Sequence, residues 1–312
     1  MKPPVIKNSR LHLSLRKFVL SAFLGLLALG TSHAQILYIT RDSNSSLGSY
    51  DLTTGAAINA LLIQNLDAPY SVAVSGDSIY VGSLLNGPRI GKYNLDGSAV
   101  NTSFISGFRS NGIAVSGANL YATAYIDGTI GHYNSITGAA INAPLVSGLE
   151  AANPYAITLD KSGNMYVANY GARTVSKYSA EGTLLEPALI SAMGGLFGIA
   201  IDDNGNVYTT DFDGGHIIKY NVATGEFGYI RSGLSNPTGI VFNDGKLYVG
   251  EYTDGVIGVY DLNGGVLNAE WITGVSGVTA LAIPEPSTVA LLAFGAAGFI
   301  LQVRKRRSVA KL

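Results

Sequence analysis

The chain has 312 residues, a formal net charge of −1 and 47% hydrophobic residues, and only 13% of it is charged, against a usual fraction of about 25%. The absence of cysteine excludes disulfides, thiol nucleophiles and cysteine metal sites, while 39 glycines beside 18 tyrosines point to many short strands joined by tight turns. Ten of the 20 basic residues lie before residue 18 or after residue 303, so residues 35–283 carry about −10, an acidic body that excludes nucleic acid as a partner.

In chain order, residues 1–17 hold five basic residues, and Phe18 to Leu29 is an apolar run. Ser32-His33-Ala34 follows, with small residues at the −3 and −1 positions of a cleavage site. This pattern predicts a secretory signal peptide over residues 1–34, cleaved after Ala34. The run is short for a permanent span of a bilayer about 30 Å thick.

The middle repeats one unit six times. A short apolar strand centred on Tyr recurs at Tyr38, Tyr80, Tyr121, Tyr166, Tyr208 and Tyr248, with spacings of 42, 41, 45, 42 and 40 residues. About 12 residues later a second strand ends in Tyr50, Tyr93, Tyr133, Tyr178, Tyr220 or Tyr260. Each is followed by a turn glycine: Gly55, Gly97, Gly138, Gly182, Gly225 or Gly264. A third motif precedes the Tyr strand, as in Gly112-Ile113-Ala114-Val115, Gly198-Ile199-Ala200-Ile201 and Gly239-Ile240-Val241-Phe242. Hairpin signals such as Ser162-Gly163-Asn164 and Asn204-Gly205-Asn206 join it to the Tyr strand. With a weaker fourth strand, such as Ala188 to Ser191, each unit is a four-stranded propeller blade, and the apolar spacing does not fit helical repeats. The first unit lacks a third-motif strand, and Val278 to Ile283 lacks a Tyr strand. The expectation is an all-β, six-bladed β-propeller over residues 35–283, with the C-terminal strand closing the first blade.

After the propeller come Pro284-Glu285-Pro286, an apolar segment from Val289 to Leu301, and Arg304-Lys305-Arg306-Arg307. The segment predicts a short transmembrane helix, and the basic cluster stays cytoplasmic by the positive-inside rule. These three parts, in this order, resemble the PEP-CTERM sorting signal. The resemblance implies recognition by an exosortase-type processing protease. It also implies export through the inner membrane of a Gram-negative bacterium that makes exopolysaccharide, with the mature protein in the periplasm, on the outer surface or in the extracellular matrix. Residues 284–312 are therefore expected to form a sorting domain, attached to the membrane through its helix until processed.

Within the body, Asn236-Pro237-Thr238-Gly239-Ile240 and Asp202 to Tyr208 resemble NHL repeats and, more broadly, propellers of the gluconolactonase type. In that type, oxygen ligands hold a divalent metal at the channel mouth, which implies Ca2+ as a cofactor and a lactonase-like hydrolase as one function. This sequence departs from the pattern: the closing segment Val278 to Ile283 carries no acid.

Two sets of residues are candidates for a site. The third residue after each Tyr of the Tyr strand occupies one shared loop position; there stand Asn169, Asp211 and Glu251, with Asp42 next to the first such position. Asn111, Asn153 and Asn236 precede third-motif strands at the same end. Asn, Asp and Glu oxygens suit a hard cation, and they equally suit caps for blade turns. The second set is aromatic: Tyr125, Tyr170, Phe212 and Tyr252 follow the shared loop position, and Tyr70, Tyr155 and Phe197 precede third-motif strands. On one rim they make a platform for sugar rings or peptide; turned inward they pack within blades. No Gly-x-Ser-x-Gly elbow, P-loop or His-Glu-x-x-His occurs, and the body holds only two histidines, His132 and His216. The residues thus favour a binding or scaffold module with polysaccharide or a surface protein as partner, with no catalytic residue identified. A calcium-dependent lactonase is the alternative, and a structural protein without a small ligand a third.

Overall fold

A computed structural model describes residues 35–284. The signal peptide with its cleavage after Ala34, the apolar C-terminal helix and the basic tail lie outside the described residues.

Residues 36–282 form six four-stranded antiparallel sheets arranged as blades. From the axis outward, the first blade is Val278–Ala282, Ile36–Arg41, Ser46–Asp51 and Ala57–Ile63; the second is Pro69–Ser75, Ser78–Ser83, Arg89–Asn94 and Ala99–Ser106. The third is Gly112–Ser116, Asn119–Ala124, Thr129–Asn134 and Ala140–Val146; the fourth is Pro154–Leu159, Met165–Asn169, Thr174–Tyr178 and Leu184–Ser191. The fifth is Leu196–Ile201, Val207–Asp211, His216–Asn221 and Glu226–Arg231; the sixth is Pro237–Asn243, Lys246–Glu251, Val256–Asp261 and Val266–Thr273. The inner strand of each blade is the third sequence motif, and the next is the Tyr strand. All six turn glycines adopt positive φ, from 72° at Gly225 to 87° at Gly182, which a side chain with a Cβ resists.

The ring closes as the repeat pattern requires. Val278–Ala282 pairs antiparallel with Ile36–Arg41, matching Tyr38 to Ala282 and Thr40 to Ala280. Thr279 Oγ1 donates to the Pro69 carbonyl at 2.7 Å, which ties the closing strand to the second blade. The first blade thereby gains the inner strand its own repeat lacks, and Ile36–Arg41 is paired on both sides.

The core is divided into six apolar clusters, each between neighbouring blades. Leu37 and Ile39 of the first blade pack with Ile257 and Val259 of the sixth, and Ile79 and Val81 of the second pack with Tyr38 and Leu47 of the first. Ile39, Leu47 and Ile79 are fully buried, and each such side chain contributes about 1.5–3 kcal/mol. The outer strands behave differently: Ala57–Ile63 exposes its first five residues and buries only Ile63.

Two recurrent residue choices follow from this packing. In the first, second, third and sixth blades the second motif reads Gly-x-Tyr, because the Tyr ring folds back over the glycine two residues earlier. A Cβ on Gly91 would stand 2.7 Å from the Tyr93 ring, and one on Gly131 would stand 2.6 Å from Tyr133. The residue just before the Tyr serves the neighbouring strand, in blades with and without that glycine. Lys92, Lys177 and Lys219 lie over the rings of Tyr80, Tyr166 and Tyr208 at 5.3, 4.9 and 5.4 Å. His132 holds the equivalent place, stacked on Tyr121 at 4.4 Å and hydrogen-bonded to Asn119 at 2.9 Å. It is part of the blade's packing.

Candidate functional site

The loops that follow the Tyr strands, and those that lead into the inner strands, gather at one end of the propeller. Because side chains alternate along a strand, successive residues at each strand end face opposite ways. Asp211 and Phe212 show the result. Asp211 is completely buried and turns into its own blade, accepting hydrogen bonds from the amides of Gly214 at 2.8 Å and Gly194 at 3.2 Å, with His216 Nδ1 at 3.4 Å. Phe212 turns to the axis, stacked on Phe197 at 5.3 Å.

The other shared-position residues follow Asp211. Glu251 accepts from the Ser235 amide at 2.8 Å and from the Tyr260 hydroxyl at 3.2 Å. Asn169 donates to Ser176 Oγ at 2.9 Å and Thr174 Oγ1 at 3.2 Å. The structure does not bring Asn169, Asp211 and Glu251 together: each is buried in a separate blade, fastening that blade's own turns. Among the described residues no group of three or more His, Asp or Glu is placed to hold one metal ion. These residues do not fit the divalent site that a gluconolactonase-type propeller implies.

The asparagines hold the aromatic loops. Asn153 and Asn236 sit at positive φ, 49° and 52°. Asn153 Nδ2 donates to the Tyr125 carbonyl at 3.2 Å, and Asn236 Nδ2 donates to the Phe212 carbonyl at 3.1 Å. The backbone carbonyls of the same two residues accept from the amides of Tyr170 and Tyr252. Asn111 Oδ1 accepts from the Tyr125 amide at 3.2 Å. All three therefore position aromatic side chains.

The aromatic candidates do come together, in a circuit closed by one carboxylate. Tyr155 is buried at the centre, with Phe197 at 3.9 Å, Tyr125 at 5.8 Å, Tyr170 at 6.3 Å and Tyr70 at 6.5 Å between ring centroids. Phe197 leads to Phe212, and Phe212 to Tyr252 at 6.4 Å. From there Asp42 completes the circuit: its Oδ2 accepts hydrogen bonds from both Tyr252 and Tyr70, each at 3.1 Å. Burial raises the Tyr70 phenol well above its usual range, and the neighbouring Asp42 charge raises it further. Tyr252 is raised by the same two causes. Both phenols therefore keep their protons and act as donors toward Asp42. Tyr155 is raised chiefly by burial.

Below this floor runs a narrow central channel. The part under the ring, about 70 Å³, is lined by Tyr70, Asn111, Tyr155, Phe197 and Thr279, and the opposite end, about 190 Å³, by aliphatic side chains such as Val74, Val115 and Leu159. The accessible surface is the floor itself, where Tyr70, Tyr125, Tyr170, Phe212, Tyr252 and Asp42 are half-buried. The shared loop position points in sequence to most of this ring. What it leaves hidden is the pairing of Asp42 with Tyr70 and Tyr252, which lie 28 and 210 residues away.

Solved structures share the fold. One, described as a nidogen/laminin complex, superposes with a TM-score of 0.70 at 18% identity, covering 80% of this chain and 98% of its own. Another, a protein of unknown function from Bacteroides caccae, gives a TM-score of 0.59 at 15% identity, with coverage of 80% and 98%. No curated protein matches the sequence. Residues 282–307 match the family model of the PEP-CTERM protein-sorting motif. This motif implies export to the cell envelope or surface of a Gram-negative bacterium and processing by an exosortase, a membrane protease. The chain is therefore a six-bladed β-propeller that carries a PEP-CTERM sorting motif at its C-terminus.

Proposed function

We propose that the chain is a non-catalytic binding propeller of the bacterial surface, whose aromatic floor is the platform for a saccharide of the surface or exopolysaccharide matrix. The reading rests on one observation: half-buried aromatic side chains from the second to the sixth blade converge on one end, around the axis. A propeller fold by itself names no function, so the site must carry the argument. Sugar rings place their C–H faces on aromatic rings, and tyrosine adds a hydroxyl that orients the sugar's own hydroxyls. The sorting tail delivers such a platform to the surface. Residues 1–34 and the tail after Pro286 are addresses removed on the way, and residues 35–283 are the working body. The lactonase alternative gains no support, since Asp211, Glu251 and Asn169 are spent on their own blades.

The test uses the exported protein and insoluble polysaccharide from the producing cell. Tyr170→Ala and Phe212→Ala should each lower retention on the polysaccharide about tenfold or more, with no release of reducing ends or lactone hydrolysis by the parent. Trp271, which packs on Tyr248 at 5.2 Å away from the floor, reports by fluorescence that the variants are folded. Full retention by both folded variants, or turnover by the parent, would overturn the reading.

A further inference from the structure

The Asp42 end of the aromatic floor differs chemically from the rest. Tyr70 and Tyr252 both give their hydroxyl protons to Asp42 Oδ2, at 3.1 Å each. Once those protons are committed, each phenol oxygen has only lone pairs left to offer. The carboxylate also has lone pairs to spare, and its Oδ1 is buried without a hydrogen-bond partner. Gly277, at φ +69°, packs against that oxygen, and a Cβ there would stand 2.6 Å from it. Two phenol oxygens and one carboxylate, three acceptor groups of which one is charged, thus stand together at this end of the floor.

No cation pairs with Asp42 among the described residues. The Lys and Arg ion pairs among the described residues are Arg89–Asp67, Lys161–Asp203 and Lys177–Asp160, and Asp42 takes part in none. The other loops that follow Tyr strands at this end carry Asp127, Asp213 and Asp254. The loops leading into the inner strands at the same end add Asp67 and Glu150 against Arg109, and the other cation, Arg173, donates to the Met193 carbonyl at 2.9 Å. A half-buried carboxylate in low dielectric, flanked by aromatic rings and set in an acidic rim, attracts a positive partner. An ammonium supplies three N–H donors and a charge, which matches three acceptors. A neutral hydroxyl offers one donor, and an acidic sugar meets repulsion.

We infer that the saccharide bound on the aromatic floor carries a free amino group, held as an ammonium by Asp42, Tyr70 and Tyr252. This rests on the proposed saccharide reading and names the class of sugar.

Calorimetric titration of the exported protein with three probes tests it: a glucosamine hexamer, its fully N-acetylated counterpart and an oligolysine of equal charge. The glucosamine hexamer should bind at least about tenfold more tightly than the acetylated one, an advantage that shrinks with added salt and is lost in Asp42→Asn. If Asp42→Asn unfolds, as Trp271 fluorescence would reveal, Tyr70→Phe with Tyr252→Phe replaces it; removing both phenol acceptors should also shrink the advantage. Equal binding of both hexamers, unaffected by either change, would overturn the ammonium inference and leave the saccharide platform standing. Oligolysine binding through Asp42 while neither hexamer binds would overturn the amino-sugar assignment and the saccharide reading together.

Discussion

At the scale of single residues, close approach decides several choices that a propensity scale cannot. Gly198 begins an inner strand whose backbone meets the next blade: a Cβ there would run into the Thr238 carbonyl oxygen and stand 3.0 Å from Thr210 Oγ1. Gly239 is in the same position against the closing strand, 2.7 Å from the Leu281 amide nitrogen. Gly198→Ala should therefore destabilise the protein by about 2–4 kcal/mol, an overpacking cost against the backbone of the next blade and the Thr210 hydroxyl. Urea unfolding checks this; an unchanged midpoint would mean that the blades can separate to admit a methyl group. In sequence these glycines are visible as a recurrent element of the third motif. Their reason is not, because it lies in the neighbouring blade. Asp42 is similar. Its residue type and loop position can be read directly, but its partners come from two other blades.

At the scale of elements, the turns opposite the aromatic floor are fastened by carboxylates. The amides of Thr54 and Thr53 donate to Asp51 and hold its carboxyl below the usual range. Asp261 is lowered in the same way by the amides of Asn263 and Gly265. Burial pushes Asp160 up, but hydrogen bonds from Asn164 and Ser162, with Lys177 nearby, more than offset it and leave it lowered. In each case the folded state binds fewer protons than the unfolded chain, whose Asp titrates near about 3.9. The stability they contribute is present above that value and lost as pH falls through the lower folded values. Thermal scans should show a midpoint insensitive to these groups between about pH 5 and 7 and falling below about pH 4. Asp160→Asn with Asp261→Asn should flatten that fall, and an identical acid limb in parent and variant would contradict the assignment. The Asp-x-x-Gly spacing at Asp160 and Asp261 and the Asp-x-x-x-Gly spacing at Asp51 announce these turns in sequence, because positive φ and local acceptors are short-range requirements. The direction in which Asp211 and Glu251 point is not announced. One residue of strand alternation separates a ring of ligands around the axis from a set of caps buried in separate blades, and only the strand register decides between them.

At the scale of the whole molecule, the repeat period and the missing inner strand of the first unit make closure legible before any coordinates. Blade number follows from counting Tyr strands, since each blade buries its apolar faces only against its neighbours. Deleting residues 276–283 should abolish cooperative unfolding, because Ile36–Arg41 would lose its inner pairing partner and the cluster of Leu37, Ile39, Val278 and Leu281 would open. Circular dichroism melting checks this, and a cooperative transition retained by the truncated protein would refute closure by this strand. Function is less legible, because a ring of aromatic residues contributed by five blades becomes a surface only when the circle is closed. The most direct measurement on that surface is fluorine NMR of the exported protein labelled with fluorotyrosine, assigned by single Tyr→Phe changes and titrated with polysaccharide fragments from the producing cell. Resonances of Tyr70, Tyr125, Tyr170 and Tyr252 should shift together and saturate, while those of Tyr38, Tyr208 and Tyr260, buried between blades, stay fixed. Binding that leaves the floor tyrosines unmoved, or fragments that produce no shift at all, would contradict the aromatic floor as the binding site.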